Sequence, residues 1–91
     1  MKNLPTNVVH YKSTPLFDQQ SVPAGLRRNH TTAAGVWGRI VVHEGSLRYV
    51  IEAPEPEEHL LVAGTPGIVE PGVPHHVVVE APVRFCVEFY R

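Results

Sequence analysis

The sequence predicts an all-β domain with little or no helix, folded as a small antiparallel barrel, and three observations carry that prediction. Nine prolines and seven glycines punctuate the 91 residues, so no stretch keeps the i, i+3, i+4 apolar spacing of a sizeable amphipathic helix. The short runs between these breaks are rich in Val, Ile, Tyr, Phe and Thr, residues that suit a pleated, half-buried surface. Two histidine-bearing stretches lie far apart in the chain, His30-Thr31-Thr32 and Glu70-Pro71-Gly72-Val73-Pro74-His75-His76, and a barrel brings such separated strands to one interior point.

The elements follow in order. Met1 to Pro5 is a loose terminus, and Asn7 to Ser13 reads as a first strand near a sheet edge. Thr14 to Asp18 and Ser21 to Gly25 are turn-rich connectors, with Leu16, Phe17 and Val22 available to plug one end of the barrel. Leu26 to Thr32 is a second strand carrying His30, broken by Ala33-Ala34-Gly35. Val36 to His43 and Ser46 to Ala53 read as a hairpin about Glu44-Gly45, where glycine supplies the positive φ of a tight turn. That register sets Ile40 opposite Tyr49 and Val42 opposite Leu47 on the inward face, with Arg39, Val41, Arg48 and Val50 on the other. Pro54 to Glu58 is an acidic, solvated tip; strands His59 to Val62 and Gly67 to Glu70 follow, separated by Gly64-Thr65-Pro66. A last hairpin, Val77 to Val79 with Val83 to Tyr90 about Ala81-Pro82, sets His75 opposite Glu88 on one face with Val77, Val79 and Cys86. Cross-strand Cβ atoms stand about 4.5–5.5 Å apart, near enough for both side chains to share one ion.

Length and charge narrow the classes. The 91 residues make a single domain, residues 1–91, close to the lower limit for a self-sufficient core, so a homodimer or a metal is expected to add stability. Cys86 is the lone cysteine and forms no internal disulfide, which together with the lack of a signal-like or membrane-length apolar run points to the cytoplasm. A net charge of −1, with 8 Lys+Arg against 9 Asp+Glu, gives no footprint for nucleic acid or a lipid surface.

Pro71-Gly72-Val73-Pro74-His75 fits the P-x-G-x-x-H pattern of the second cupin motif, whose histidine ligates metal. Over nearly its whole length the chain resembles the small cupin-like domain related to tellurite-resistance proteins. The likeness runs through Tyr11 to Pro15, Pro23 to Gly25, Arg28 to Thr31, Gly35 to Arg39, Glu44 to Tyr49 and Arg84 to Tyr90. It implies a cupin-like jelly roll, a double-stranded β-helix with its site inside. Two departures stand out: Thr32 occupies the place of the second histidine of the first motif, and Val36 or Trp37 that of its glutamate. Some relatives carry a methyltransferase domain after the cupin-like one; this sequence shows no glycine-rich nucleotide loop and ends at Arg91, so that activity is not expected.

The expected site is then His30, His75 and Glu88 around a divalent transition metal, Zn, Fe, Ni or Mn, with coordination positions open to water or a small ligand. Glu70, Cys86 and Tyr90 are the further pocket candidates, and no residue is assigned a catalytic role. His76 faces outward by strand alternation, and His10, His43 and His59 are expected at the surface. A single strand histidine more commonly serves the core or an edge through hydrogen bonds, and a salt bridge to an arginine is the plain structural role for Glu88. The functional expectation is a metal-binding module that binds or senses a small molecule or oxyanion in a stress response. The alternative is a metal-dependent cupin enzyme of oxygenase, isomerase or hydrolase type.

Overall fold

The computed structural model describes residues 1–91. Its seven strands are β1 (His10–Ser13), β2 (Phe17–Asp18), β3 (Trp37–Ile51), β4 (Glu57–Val62), β5 (Gly67–Val69), β6 (His75–Val78) and β7 (Val83–Tyr90). Every strand pairing is antiparallel, and the only helical element is one 3-10 turn at Ala24–Arg27. The all-β class read from the sequence is the class observed.

Fifteen-residue β3 is the axis of the fold. Its first half lies between β7 and β5, its second half between β6 and β4. Along one edge, Arg48 pairs with Val78 and Gly45 with Val83, so β6 and β7 continue one another past β3. Along the other edge, Ser46 pairs with Val62 and Ile40 with Gly67, so β4 and β5 do the same. A further ribbon borders β7 and β6: β1 and β2 pair with β7, and His30 bridges to His75. Each ribbon thus passes from one sheet to the other.

Two expected hairpins are therefore corrected. Glu44-Gly45 does not reverse the chain; it is an irregularity within β3, with a register shift between Val42 and Glu44 and φ +76° at Gly45. A Cβ on Gly45 would stand 2.0 Å from the Pro82 carbonyl oxygen, so the bend of β3 nests against the break between β6 and β7. A two-residue turn and a one-residue bulge both shift side-chain alternation by one place. That is why Ile40, Val42, Leu47 and Tyr49 are all buried as expected although their pairing is different. Ala81-Pro82 likewise joins two collinear strands, so β6 pairs with β3 and not with β7. His75 consequently lies opposite Ile51, while Glu88 lies opposite Arg39.

Smaller differences have local causes. The expected strand at Leu26 to Thr32 begins inside the 3-10 turn and keeps only the bridge at His30, because Asn29 at φ +27° redirects the chain. Glu57 and Glu58 belong to β4 instead of the acidic tip. Twelve buried residues form one core, eleven from the strands and Val22 from a connector; among them are Ile40, Phe85 and Val87 from the first sheet and Leu47, Tyr49 and Leu61 from the second. Full burial of such a side chain contributes about 1.5–3 kcal/mol. The expected barrel does not close: the sheet path ends at β1 on one side and β4 on the other. β1 is exposed throughout, and β4 alternates exposed Glu58 and Leu60 with inward residues, features of strand edges that stay unpaired. No helix is long and apolar enough to cross a membrane.

Candidate functional site

The segment Glu70 to Pro74 sets the position of His75. Val73 N–H donates to the Glu70 carbonyl over 3.3 Å and Gly72 has φ +71°, which makes Glu70 to Val73 a turn with Pro71 and Gly72 at its centre, the residues a type II turn favours. The turn leads from β5 in one sheet to β6 in the other, where His75 is the first residue. Its backbone exchanges two hydrogen bonds with His30, of 2.7 and 2.9 Å. This bridge brings the two histidines together across 45 residues of sequence.

The His75 imidazole is buried, 5% exposed. Its Nδ1 lies 3.0 Å from the Val73 carbonyl, and its Nε2 lies 3.4 Å from His30 Nδ1. A carbonyl only accepts, so Nδ1 carries the His75 proton and Nε2 is the acceptor for His30 Nδ1–H. The Tyr49 ring meets His75 edge-on at 5.9 Å, and the Tyr49 hydroxyl donates to the Ile68 carbonyl at 2.8 Å. Burial pushes the His75 imidazole below its ordinary range and holds the Tyr49 phenol far above its own.

The pair faces a cavity of about 280 Å³. Its wall is mostly apolar, with Phe17, Ile40, Val69, Val77, Phe85 and Val87 prominent, and holds no lysine, arginine, aspartate or glutamate. Thr14 and Thr32 also reach it. Phe17 serves as the expected plug; Val22 joins the core, while Leu16 is exposed.

Of the three expected ligands, the fold brings together His30 and His75 and leaves Glu88 elsewhere. Val83, Phe85 and Val87 are the buried face of β7, so strand alternation turns Glu88, with Cys86, to the opposite face. There Glu88 accepts a hydrogen bond from the Tyr90 hydroxyl at 2.9 Å and lies 3.8 Å from Arg39 Nε. Cys86 Sγ is 3.7 Å from His43 Nε2, and burial followed by the Glu88 charge pushes its thiol up. Glu70 sits 3.6 Å from Lys2 Nζ in a separate depression with Ile51 and Val73. None of Glu70, Cys86 and Tyr90 lines the histidine cavity. His76 faces outward as expected and pairs with Glu52 at 2.7 Å.

As a resident metal site the pair is incomplete. No group of three or more His, Cys, Asp or Glu side chains is placed to hold one ion, and no carboxylate in the cavity offsets a divalent charge. The donors present do not fit the expected two-histidine, one-carboxylate set. The cavity-facing residues of β7 had a legible signal, because Phe85, Val87 and Phe89 alternate with Cys86, Glu88 and Tyr90. The Val73 carbonyl and the Leu26 and Val69 walls had none, since they depend on tertiary packing.

A family model described as the TehB-like domain matches residues 12–87. The uncharacterized protein YeaR of Escherichia coli strain K12 is 32% identical over 99 aligned positions, spanning 99% of this chain and 83% of that protein; YeaR of strain O157:H7 gives the same figures. A crystal structure of a protein from E. coli strain K12 superposes with TM-score 0.87 at 27% identity, over 100% of this chain and 97% of that one. The crystal structure of TehB from Haemophilus influenzae superposes with TM-score 0.81 at 24% identity, over 91% of this chain and 31% of that one. The last match shows a shared fold with less than a third of TehB.

Proposed function

The chain belongs to the tellurite-resistance-related TehB-like domain family, and from that premise we propose that it is a small-molecule-binding module whose recognition group is the His30–His75 pair. The observation that carries this reading is a cavity of about 280 Å³ with an apolar wall and a single imidazole pair, of which His75 is buried and His30 partly so. Ligand pockets are mostly apolar with a few placed polar groups, and this one falls just below their usual range of about 300–1,000 Å³. An apolar cavity of roughly half that volume binds benzene in another protein. The cupin-like reading of the fold supports the same location for a site, inside the rolled sheet.

Titration of isotope-labelled protein with toluene in the presence of a chelator tests the proposal. Saturable shifts of the Ile40, Val69, Val77 and Val87 methyl signals are expected, lost in a Val69→Phe variant that fills the space. Absence of any saturable shift in the wild type with either toluene or phenol overturns it.

The second reading is a divalent ion held by both imidazoles, with water completing its shell. It is favoured by the 3.4 Å nitrogen separation, which is about the spacing of two nitrogens each roughly 2.0–2.1 Å from one tetrahedral zinc. Elemental analysis of protein purified without a metal-binding tag decides it: stoichiometric metal supports this reading, and none after zinc reconstitution and dialysis rejects it. An enzymatic role would have only the two imidazoles as proton-transfer groups at the cavity, since Glu70 and Tyr90 lie outside it.

A further inference from the structure

We propose that the cavity selects an uncharged molecule of about one ring whose polar group is a hydrogen-bond donor, a phenol or a compact alcohol, and discriminates against oxyanions. This deepens the small-ligand reading and rests on it. The direction of the hydrogen bonds in the wall supplies the selectivity.

The chain of bonds starts at the Val73 carbonyl, which can only accept. His75 spends its one N–H there, at 3.0 Å, and its Nε2 accepts from His30 Nδ1 at 3.4 Å. A neutral imidazole has one donor and one acceptor nitrogen, so His30 is left with a bare acceptor at Nε2. The relay therefore ends in a lone pair and has no proton to offer.

The other polar side chains of the wall are already engaged. The Thr14 hydroxyl donates to the Pro15 carbonyl and accepts from Val87 N–H, both at 2.9 Å. The Thr32 hydroxyl donates to the Val36 carbonyl at 2.8 Å. No side-chain donor and no cationic side chain remains in the wall to stabilise an oxyanion, whose burial there would lack compensation. A ligand hydroxyl, by contrast, meets an acceptor while its hydrocarbon body displaces water from apolar wall. Burial of His75 opposes the protonation that would reverse the relay.

The test is an NMR titration of the full chain, in chelator at neutral pH, with phenol, anisole and benzoate, which keep one ring and vary the polar group. Phenol is expected to bind at least tenfold more tightly than anisole and to move the side-chain nitrogen signals of His30 and His75, with benzoate giving no saturable shift. Equal binding of phenol and anisole overturns donor selection while leaving the small-ligand reading intact. Tighter binding of benzoate shows that the pair donates and also overturns it. No shift with any of the three overturns both readings. A second measurement needs no variant: in the free protein both rings should carry the proton on Nδ1, and a His30 ring protonated on Nε2 instead overturns the relay.

Discussion

His75 presents its unprotonated Nε2 to His30 Nδ1 across 3.4 Å while its other nitrogen is tied to the Val73 carbonyl. The two rings therefore differ in consequence when removed. His75→Ala deletes a buried ring and orphans the Val73 carbonyl, and we expect a loss of about 2–4 kcal/mol, combining a large-to-small truncation with a lost hydrogen bond. His30 is only partly buried, and His30→Ala should cost under about 1.5 kcal/mol. Urea denaturation gives both values. Equal costs would show that the bond to Val73 contributes nothing special to His75.

Stability should fall on mild acidification, and the sign follows from His75. Burial lowers its affinity for a proton in the fold, against the opposing effects of the Val73 carbonyl and the Glu52 charge and with the help of His30 and His76. The unfolded chain then holds the extra proton below the ordinary imidazole value of about 6.5 while the folded chain resists it. The contribution is fully present above that value and is lost progressively as pH drops from it through the lowered folded value. One proton limits the slope to about 1.4 kcal/mol per pH unit. Urea midpoints between pH 7.5 and 5.5 should decline in the wild type and decline less in His75→Gln; parallel curves would exclude His75 as the source.

The bend in β3 gives a sharper structural expectation. Gly45 combines φ +76° with a Cβ direction that ends 2.0 Å from the Pro82 carbonyl oxygen. The left-handed backbone alone costs a non-glycine residue about 1–3 kcal/mol, and backbone cannot yield as a flexible side chain does. Gly45→Ala should therefore be among the most destabilising glycine substitutions. Gly25→Ala, with φ outside the left-handed region and open space around it, should be close to neutral. Thermal unfolding of the two variants compares them directly, and similar midpoints would refute the clash.

Much of the fold was legible in the residues, and what was not has a common cause. Strand composition and the spacing of prolines and glycines located every strand except β2, which lies in an expected connector, and over-read Leu26 to Thr32, while the meeting of His30 with His75 was anticipated. The same punctuation was read as chain reversal at Glu44-Gly45 and Ala81-Pro82, whereas both are places where a ribbon crosses between sheets. Local sequence specifies that the backbone must depart from a regular strand; which departure occurs depends on the neighbouring ribbons. Parity of the side chains survives either way, so the core of β3 was read correctly with the wrong partners. The misplaced Glu88 shows the opposite failure: an assumed register overrode the alternation of Val83, Phe85 and Val87, which already pointed it outward.

The outward position of Glu88 makes its removal a discriminating control. Its partners are Arg39 Nε at 3.8 Å and the Tyr90 hydroxyl at 2.9 Å, and its side chain is 28% exposed. A partly exposed pair of this kind contributes up to about 1 kcal/mol. Glu88→Gln should change stability by less than that and leave phenol affinity unchanged within twofold. A tenfold loss of affinity would place Glu88 in the site.

Thr32 offers the converse experiment, adding a donor where one is missing. It lies two residues beyond His30, so along extended chain the two side chains project to the same side, and both reach the cavity. Replacing Thr32 by histidine gives a third imidazole beside the existing pair, at the expense of the hydroxyl bond to the Val36 carbonyl. Three imidazoles are a sufficient protein ligand set for zinc with a position left open. Thr32→His is therefore expected to retain one zinc per chain after dialysis and to gain thermal stability on zinc addition, because an ion that binds the folded state alone shifts the unfolding equilibrium. The wild type should do neither under the same conditions. Equal retention by both proteins would mean that two imidazoles already suffice; retention by neither would mean that residue 32 cannot reach the pair.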